Sequence, residues 1–162
     1  MSIFKPNLDK FSSKIFVAPA NEYEVEVASV KYRAVDIRNG ARAGQKMHMV
    51  DVSCRIISDS SGDKEYENKP VSVSFILDTD REESFDRLIK FVMCCKGIRP
   101  GTEDADTEFK TRFGQLDLGV DLDSGELGSG YAELQKSRVI VNVGIRTQGD
   151  KQYQDYKGCR TF

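Results

Sequence analysis

The chain has one histidine, His48, and four cysteines, Cys54, Cys94, Cys95 and Cys159. A nucleophilic relay needs a base beside the serine or thiol and a third group that orients the base. His48 is the only histidine, and it falls on the apolar parity of a period-two stretch. It therefore reads as a structural histidine, not a catalytic base. No two cysteines have CxxC spacing, which excludes a zinc site built from two such knuckles. Cys94 and Cys95 are adjacent in a helical stretch and poorly placed to bridge each other, so all four thiols are expected to be reduced. Gly40-Ala41-Arg42-Ala43-Gly44 lacks the Lys-Ser/Thr ending of a phosphate-binding loop and precedes a strand pattern. Asp121, Asp123 and Gly125 match part of a calcium loop, but the third acid and the closing glutamate are missing. These patterns point away from an enzyme, from a bound metal and from any other cofactor.

Cations and flat side chains remain as candidates. Net charge is −2, but it is unevenly spread. Lys31 to Lys46 carries +4, Ile98 to Glu126 carries −5, and Leu127 to Phe162 carries +3. A fold that joins the two basic stretches would have a basic face and an acidic back. No apolar run reaches the roughly 20 residues of a membrane span, and Met1 to Ala20 lacks a signal-peptide core. The expectation is a cytoplasmic protein with no membrane partner, in the host cytoplasm if the chain is phage-encoded. At 162 residues one domain is expected.

Residues 1–21 read as an arm, with Phe4, Phe11 and Phe16 as anchors and Pro6 and Pro19 as punctuation. Residues 22–162 form the domain. Tyr23, Val25 and Val27 alternate with glutamates. The alternation slips at Ala28-Ser29 and resumes as Val30, Tyr32 and Ala34, predicting one bulged, bent strand over Glu22–Ile37. A second strand is predicted over Met47–Ser58 and a third over Tyr66–Leu77, with Val71, Val73, Phe75 and Leu77 on one face. Phe85 to Cys95 has helical spacing, with Thr79 and Glu82 as a capping box and Gly97 as the stop. Residues 108–116 suggest a short helix, and Gly125, Gly128 and Gly130 a mobile loop. Arg138–Arg146 is predicted as a strand with Val139, Val141, Val143 and Ile145 inward. A hairpin turn at Gln148–Lys151 and a return strand to Phe162 complete the chain. Three strands, a helix and two strands make the element order of a mostly β, five-stranded OB-type barrel, with one α-helix between strands three and four.

The chain resembles phage-encoded single-stranded DNA-binding proteins of the OB type. The residues that carry the resemblance are Val17-Ala18-Pro19-Ala20-Asn21-Glu22-Tyr23-Glu24-Val25 at one end. At the other they are Lys136-Ser137-Arg138-Val139-Ile140-Val141-Asn142-Val143, then Gln148-Gly149-Asp150 and Tyr153-Gln154-Asp155-Tyr156-Lys157, closing toward Arg160-Thr161-Phe162. The resemblance implies sequence-tolerant binding of single-stranded DNA in phage replication or recombination, with replication or recombination proteins as further partners. Such proteins usually end in an acidic tail that recruits those partners, whereas here Lys157 and Arg160 lie near the end of the sequence.

Single-stranded DNA calls for cations along its backbone and aromatic platforms for its bases. On an OB barrel its path crosses strands two and three between the one–two and four–five loops. The candidate nucleic-acid-binding set is Lys31, Tyr32, Arg33, Arg38, Arg42, Lys46, Arg55, Arg146, Lys151, Tyr153 and Tyr156, over an open floor at Ser72 and Ser74. Tyr153 and Tyr156 are three apart in one strand, so one is expected to be a platform, Tyr153 being favoured, and the other core or rim. The plain alternative for the set is a solvated strand face. The rival functions are a protein–protein or virion accessory module on the same scaffold, and a metal-dependent nuclease using the acids between 103 and 123.

Overall fold

The structure, a computed structural model, describes residue 3 and residues 15–78 and 85–162. Phe4, Pro6, Phe11, Thr79 and Glu82 lie outside the described residues, and with them the capping box and two of the arm's anchors. Five strands form one antiparallel sheet: β1 (Asn21–Asp36), β2 (Lys46–Asp59), β3 (Pro70–Leu77), β4 (Arg138–Gln148) and β5 (Lys151–Thr161). Their order across the sheet is β3-β2-β1-β4-β5. Two α-helices, α1 (Asp86–Cys95) and α2 (Ala105–Phe113), and a 3₁₀ segment, Ser129–Leu134, lie between β3 and β4.

The register of β1 explains how one strand serves both halves of the sheet. It shifts against β2 between Glu24 and Val25 and again between Val27 and Ser29, where Ala28 is the extra residue. Before this second bulge β1 pairs with both β2 and β4, and after it with β2 alone. A bulge bends a strand and increases its twist, so the two parts of β1 can follow different neighbours. The core lies on the concave face. Tyr23, Val25, Val27, Val50, Val52, Cys54, Ile56, Val71, Val73, Phe75, Leu77, Val139, Val141 and Val143 are all buried there. Leu88, Phe91 and Val92 of α1 and Leu134 fill the space over them.

The sheet does not close into a barrel by hydrogen bonding: among the described residues no ladder joins β3 to β5. The two outer strands nevertheless meet through side chains. The Phe75 ring of β3 lies 5.3 Å from the Tyr156 ring of β5, and Phe91 of α1 packs against both. α1 stops where Gly97 takes φ +77° and the Ile98 N–H reaches back to the Met93 carbonyl. α2 begins and ends three residues earlier than expected. It rests on a small satellite core of Met93, Ile98 and Ala105, flanked by Phe109 and Phe113.

Three local expectations are corrected. β3 starts at Pro70, not Tyr66, because residues 64–69 form turns and Asn68 has φ +68°, which a strand does not hold. Tyr66 packs instead on Phe16 and Tyr23. Ile145 is 41% exposed rather than inward. The β1–β4 pairing ends at Asn21–Val143, so from Gly144 onward β4 and β5 run on as a two-stranded ribbon with no third strand to bury it. The glycine-rich segment is fastened, not loose. The Gly128 N–H bonds the Gly119 carbonyl and the Gly130 N–H the Asp117 carbonyl. Buried Tyr131 donates its hydroxyl to the Leu118 carbonyl at 2.7 Å, and burial, then Asp117, pushes that hydroxyl up to about 12.

Candidate nucleic-acid interface

The convex face of β1–β2–β3 is set by cross-strand pairing. Lys31 pairs with Asp51 and Asp51 with Ser74; Arg33 pairs with Met49 and Met49 with Ile76; Ser53 pairs with Ser72. Directly paired residues share a face of the sheet. These side chains therefore form a mixed polar and apolar floor, opposite the face that buries Val50, Val52, Val73 and Phe75. The β4–β5 ribbon forms one wall of this floor. The two-residue loop Gly149-Asp150, with Gly149 at φ +66°, closes the ribbon between paired Gln148 and Lys151. The segment Ile15–Val17 forms another wall. Gln154 holds it: its amide oxygen accepts the Ala18 N–H at 2.8 Å, and its amide nitrogen donates to the Ala18 carbonyl at 3.0 Å and the Gly144 carbonyl at 2.9 Å.

The space so enclosed is an open groove of about 1190 Å³. Among the described residues its lining includes the cations Arg33, Arg87, Arg146 and Lys151, the acids Asp150 and Asp155, and the aromatics Phe16, Tyr153 and Tyr156. Ser72, Ser74, Met49 and Ile76 lie in the floor, where Ile76 is 47% exposed. Arg33 is fixed by Asp51, with Nε at 2.7 Å from Oδ2 and Nη2 at 3.3 Å from Oδ1. Ser74 donates to the same carboxylate at 2.6 Å. This row spans three strands, and it leaves Arg33 48% exposed above a neutralised acid.

The tyrosines part company. Tyr153 is 40% exposed in the groove wall, and the Arg146 guanidinium lies 5.5 Å from its ring centre. Tyr156 also borders the groove, but its ring sits in the β3–β5 gap against Phe75, with Arg87 over it at 5.0 Å. Burial first, then Cys159, raises its hydroxyl well above the usual phenol range. The register shift in β5 falls after Tyr156, so the two tyrosines keep opposite parity. Tyr32 pairs with buried Val50 and lies on the concave side. Its ring stacks on His48, its hydroxyl is hydrogen-bonded to His48 Nδ1, and Gly125 packs against it. Tyr32 is thus separated from the groove by the thickness of the sheet.

The remaining candidates surround the groove at different distances. Lys31 is exposed on the convex face, while Arg38 and Lys46 are exposed in or beside the β1–β2 loop. Arg42 bonds Asp78 at 3.0 Å and Gln45 at 3.1 Å, which draws that loop over the end of β3 beyond Ile76. Arg55 is committed to Glu26, at 2.8 and 3.0 Å, and to Asn68 at 2.9 Å, at the opposite end of the floor. Arg87, Met49, Ile76 and the Ile15–Val17 segment were not legible as groove residues from the sequence. Met49 and Ile76 carried a signal in their odd parity within apolar-alternating strands; Arg87 carried none.

Three of the acids between 103 and 123 are used locally. Glu108 pairs with Arg112 at 2.7 Å. Asp117 accepts the Gly119 N–H. Asp121 accepts the N–H groups of Asp123 and Ser124, which hold its carboxyl below the usual range. The Asp121–Leu127 turn lies against Tyr32, on the side of the sheet away from Arg33. Comparison with protein-family models gives no match, and comparison with curated proteins gives no significant one.

Proposed function

We propose that the chain is a sequence-tolerant single-stranded DNA-binding protein that acts in phage DNA replication or recombination, and that the groove over β1–β2–β3 is its binding surface. The observation that carries this reading is the groove's composition. Four cations against two acids, one exposed tyrosine and an apolar Met49–Ile76 pair line an open trough along a sheet face. Cations track phosphates and flat or apolar side chains take bases, and neither reads base edges. A duplex is a poor fit, because a trough floored by strands offers bases a stacking surface only when they are unpaired.

The architecture supports the same reading. The order β3-β2-β1-β4-β5 is that of an OB barrel opened between its third and fifth strands, and α1 comes between strands three and four as it does in that fold. We read the Phe75–Tyr156–Phe91 contact as the side-chain seam of such a barrel. The groove then occupies the face that OB domains use for oligonucleotides.

The direct experiment measures binding to labelled oligo-dT, to duplex DNA and to RNA at two salt concentrations. Single strands should bind best, with log affinity falling by about 0.7 per neutralised phosphate per unit of log salt. Absence of single-strand binding at low salt would overturn the proposal and leave a protein–protein role for the sheet face. Magnesium-dependent cleavage of the label would replace it with the nuclease reading.

A further inference from the structure

Two of the four cysteines are brought together by the tertiary structure. Cys94 lies at the end of α1, buried, and Cys159 lies on the outer strand β5, only partly covered. They are 65 positions apart in sequence, and their sulfurs are 3.1 Å apart. A disulfide bond is about 2.05 Å long, so roughly an ångström of side-chain movement separates the two thiols from a bond. Cys54 and Cys95 have no such partner sulfur among the described residues.

We propose that Cys94 and Cys159 are a reversible redox site, oxidised to a disulfide by a low-molecular-weight disulfide such as oxidised glutathione. The surroundings divide the labour between the thiols. Cys159 faces Tyr156, and Arg87 reaches the same corner through the Tyr156 ring and carbonyl. The sulfur contact with Cys94, then Tyr156 and Arg87, lowers the Cys159 thiol below its ordinary value, which makes it the readier of the two to ionise. Cys94, buried and bonded to that sulfur, stays protonated. Burial likewise pushes Cys54 up to about 12 and raises Cys95, which leaves both inert.

The chemistry balances in two exchanges. Cys159 Sγ attacks one sulfur of the oxidant. The oxidant's S–S bond breaks, and its electron pair leaves on the first glutathione thiolate. Cys94 then loses its proton to that thiolate, and its sulfur attacks Cys159 Sγ. The mixed disulfide breaks and the second glutathione departs. Two protein thiols are oxidised, and one small disulfide is reduced to two thiols. Capping Cys159 removes the thiolate that held the Cys94 proton, so the second step is favoured once the first has occurred. The bond would tie α1 to β5 directly behind Tyr156 and Arg87. The site stands whether or not the groove binds DNA.

The test titrates the reduced, folded chain with oxidised glutathione and maps non-reduced peptides. The expected product is a single link between the peptides of Cys94 and Cys159, with Cys54 and Cys95 still free thiols and with reversal by dithiothreitol. Oxidised protein should melt at a higher temperature than reduced protein. Cys94→Ala should stop at one glutathione on Cys159, and Cys159→Ser should form neither adduct nor link. The proposal is overturned if the wild-type chain keeps glutathione on Cys159 without linking, if the link joins any other pair, or if the folded chain takes up no oxidant under conditions that oxidise the unfolded one.

Discussion

At the scale of single residues, the groove depends on which face each tyrosine takes. Tyr153 stands in the wall with Arg146 against its ring, and little of it supports the core. Tyr153→Ala should weaken oligo-dT binding by about 1–3 kcal/mol and leave the melting temperature nearly unchanged. Tyr156 is wedged between Phe75 and Phe91. Tyr156→Ala should cost about 2–4 kcal/mol of stability, because it removes ring packing and leaves a cavity in the seam. Paired melting and affinity measurements on the two variants separate the roles. If both lose stability and neither loses affinity, the ribbon carries no stacking platform. Tyr32 belongs with His48 and the Asp121–Leu127 turn, so its removal should affect stability and spare affinity.

At the scale of elements, the β4–β5 ribbon and the β1–β2 loop contribute differently. Arg146 and Lys151 line the groove itself, whereas Arg38, Arg42 and Lys46 border its end. Replacing Arg146 and Lys151 by Ala should lower affinity for all single strands alike. It should also reduce the salt slope by up to about 1.4 units, at about 0.7 for each phosphate no longer neutralised. The triple variant of Arg38, Arg42 and Lys46 should have a smaller effect, because Arg42 already spends its charge on Asp78. An equal or larger loss in the triple variant would move the backbone path to the loop. The turn after β2 has its own signature. The Asp59 carboxylate accepts hydrogen bonds from the Ser61 hydroxyl, the Ser61 N–H and the Asp63 N–H, and these hold it below its ordinary 3.8. A carboxyl lowered in the folded state stabilises the fold above its unfolded value, and that contribution is lost as pH falls through the folded value. Asp59→Asn should therefore flatten the acid limb of a stability profile below about pH 4, as measured by denaturant melts across that range.

At the scale of the whole molecule, α1 and the outer strands depend on one another. Phe91 is fully buried and touches Phe75 of β3 and Tyr156 of β5 across the line where the ladder is open. Phe91→Ala should cost about 3–5 kcal/mol, and amides at the facing edges of β3 and β5 should exchange faster than those of β1. Uniform protection across all five strands in that variant would show that the sheet holds its curvature without the aromatic seam. Charge is also segregated at this scale. The acidic Asp121–Leu127 turn packs on the concave side, while Arg33 and the ribbon cations face the groove on the convex side. The segregation is partial, because the ribbon also carries Asp150 and Asp155 on the groove side.

Periodicity was enough to read the elements of this chain. Alternation of apolar and polar residues placed four strands to within a few residues, the turn at Gln148–Lys151 placed the fifth, and the slip at Ala28-Ser29 placed the bulge, because side-chain direction reverses at every residue of a strand and nothing distant is needed to see it. The helix spacing from Phe85 to Cys95 was local in the same sense. Parity also separated Tyr153 from Tyr156. Whatever depended on which strand ends where, or on what lies across the sheet, was decided by the tertiary structure. Ile145 looked buried until β1 stopped two residues short of it. Tyr32 has basic neighbours in sequence, as a platform would, but it follows the resumed alternation of Val30 and Ala34, and only its pairing with Val50 and its stack on His48 decide between the two. Arg87, Met49 and Ile76 reached the groove from a helix and two strands whose meeting no local pattern encodes. Cys94 and Cys159 came together for the same reason: long-range packing of α1 against β5 is a property of the closed core, not of any window of sequence.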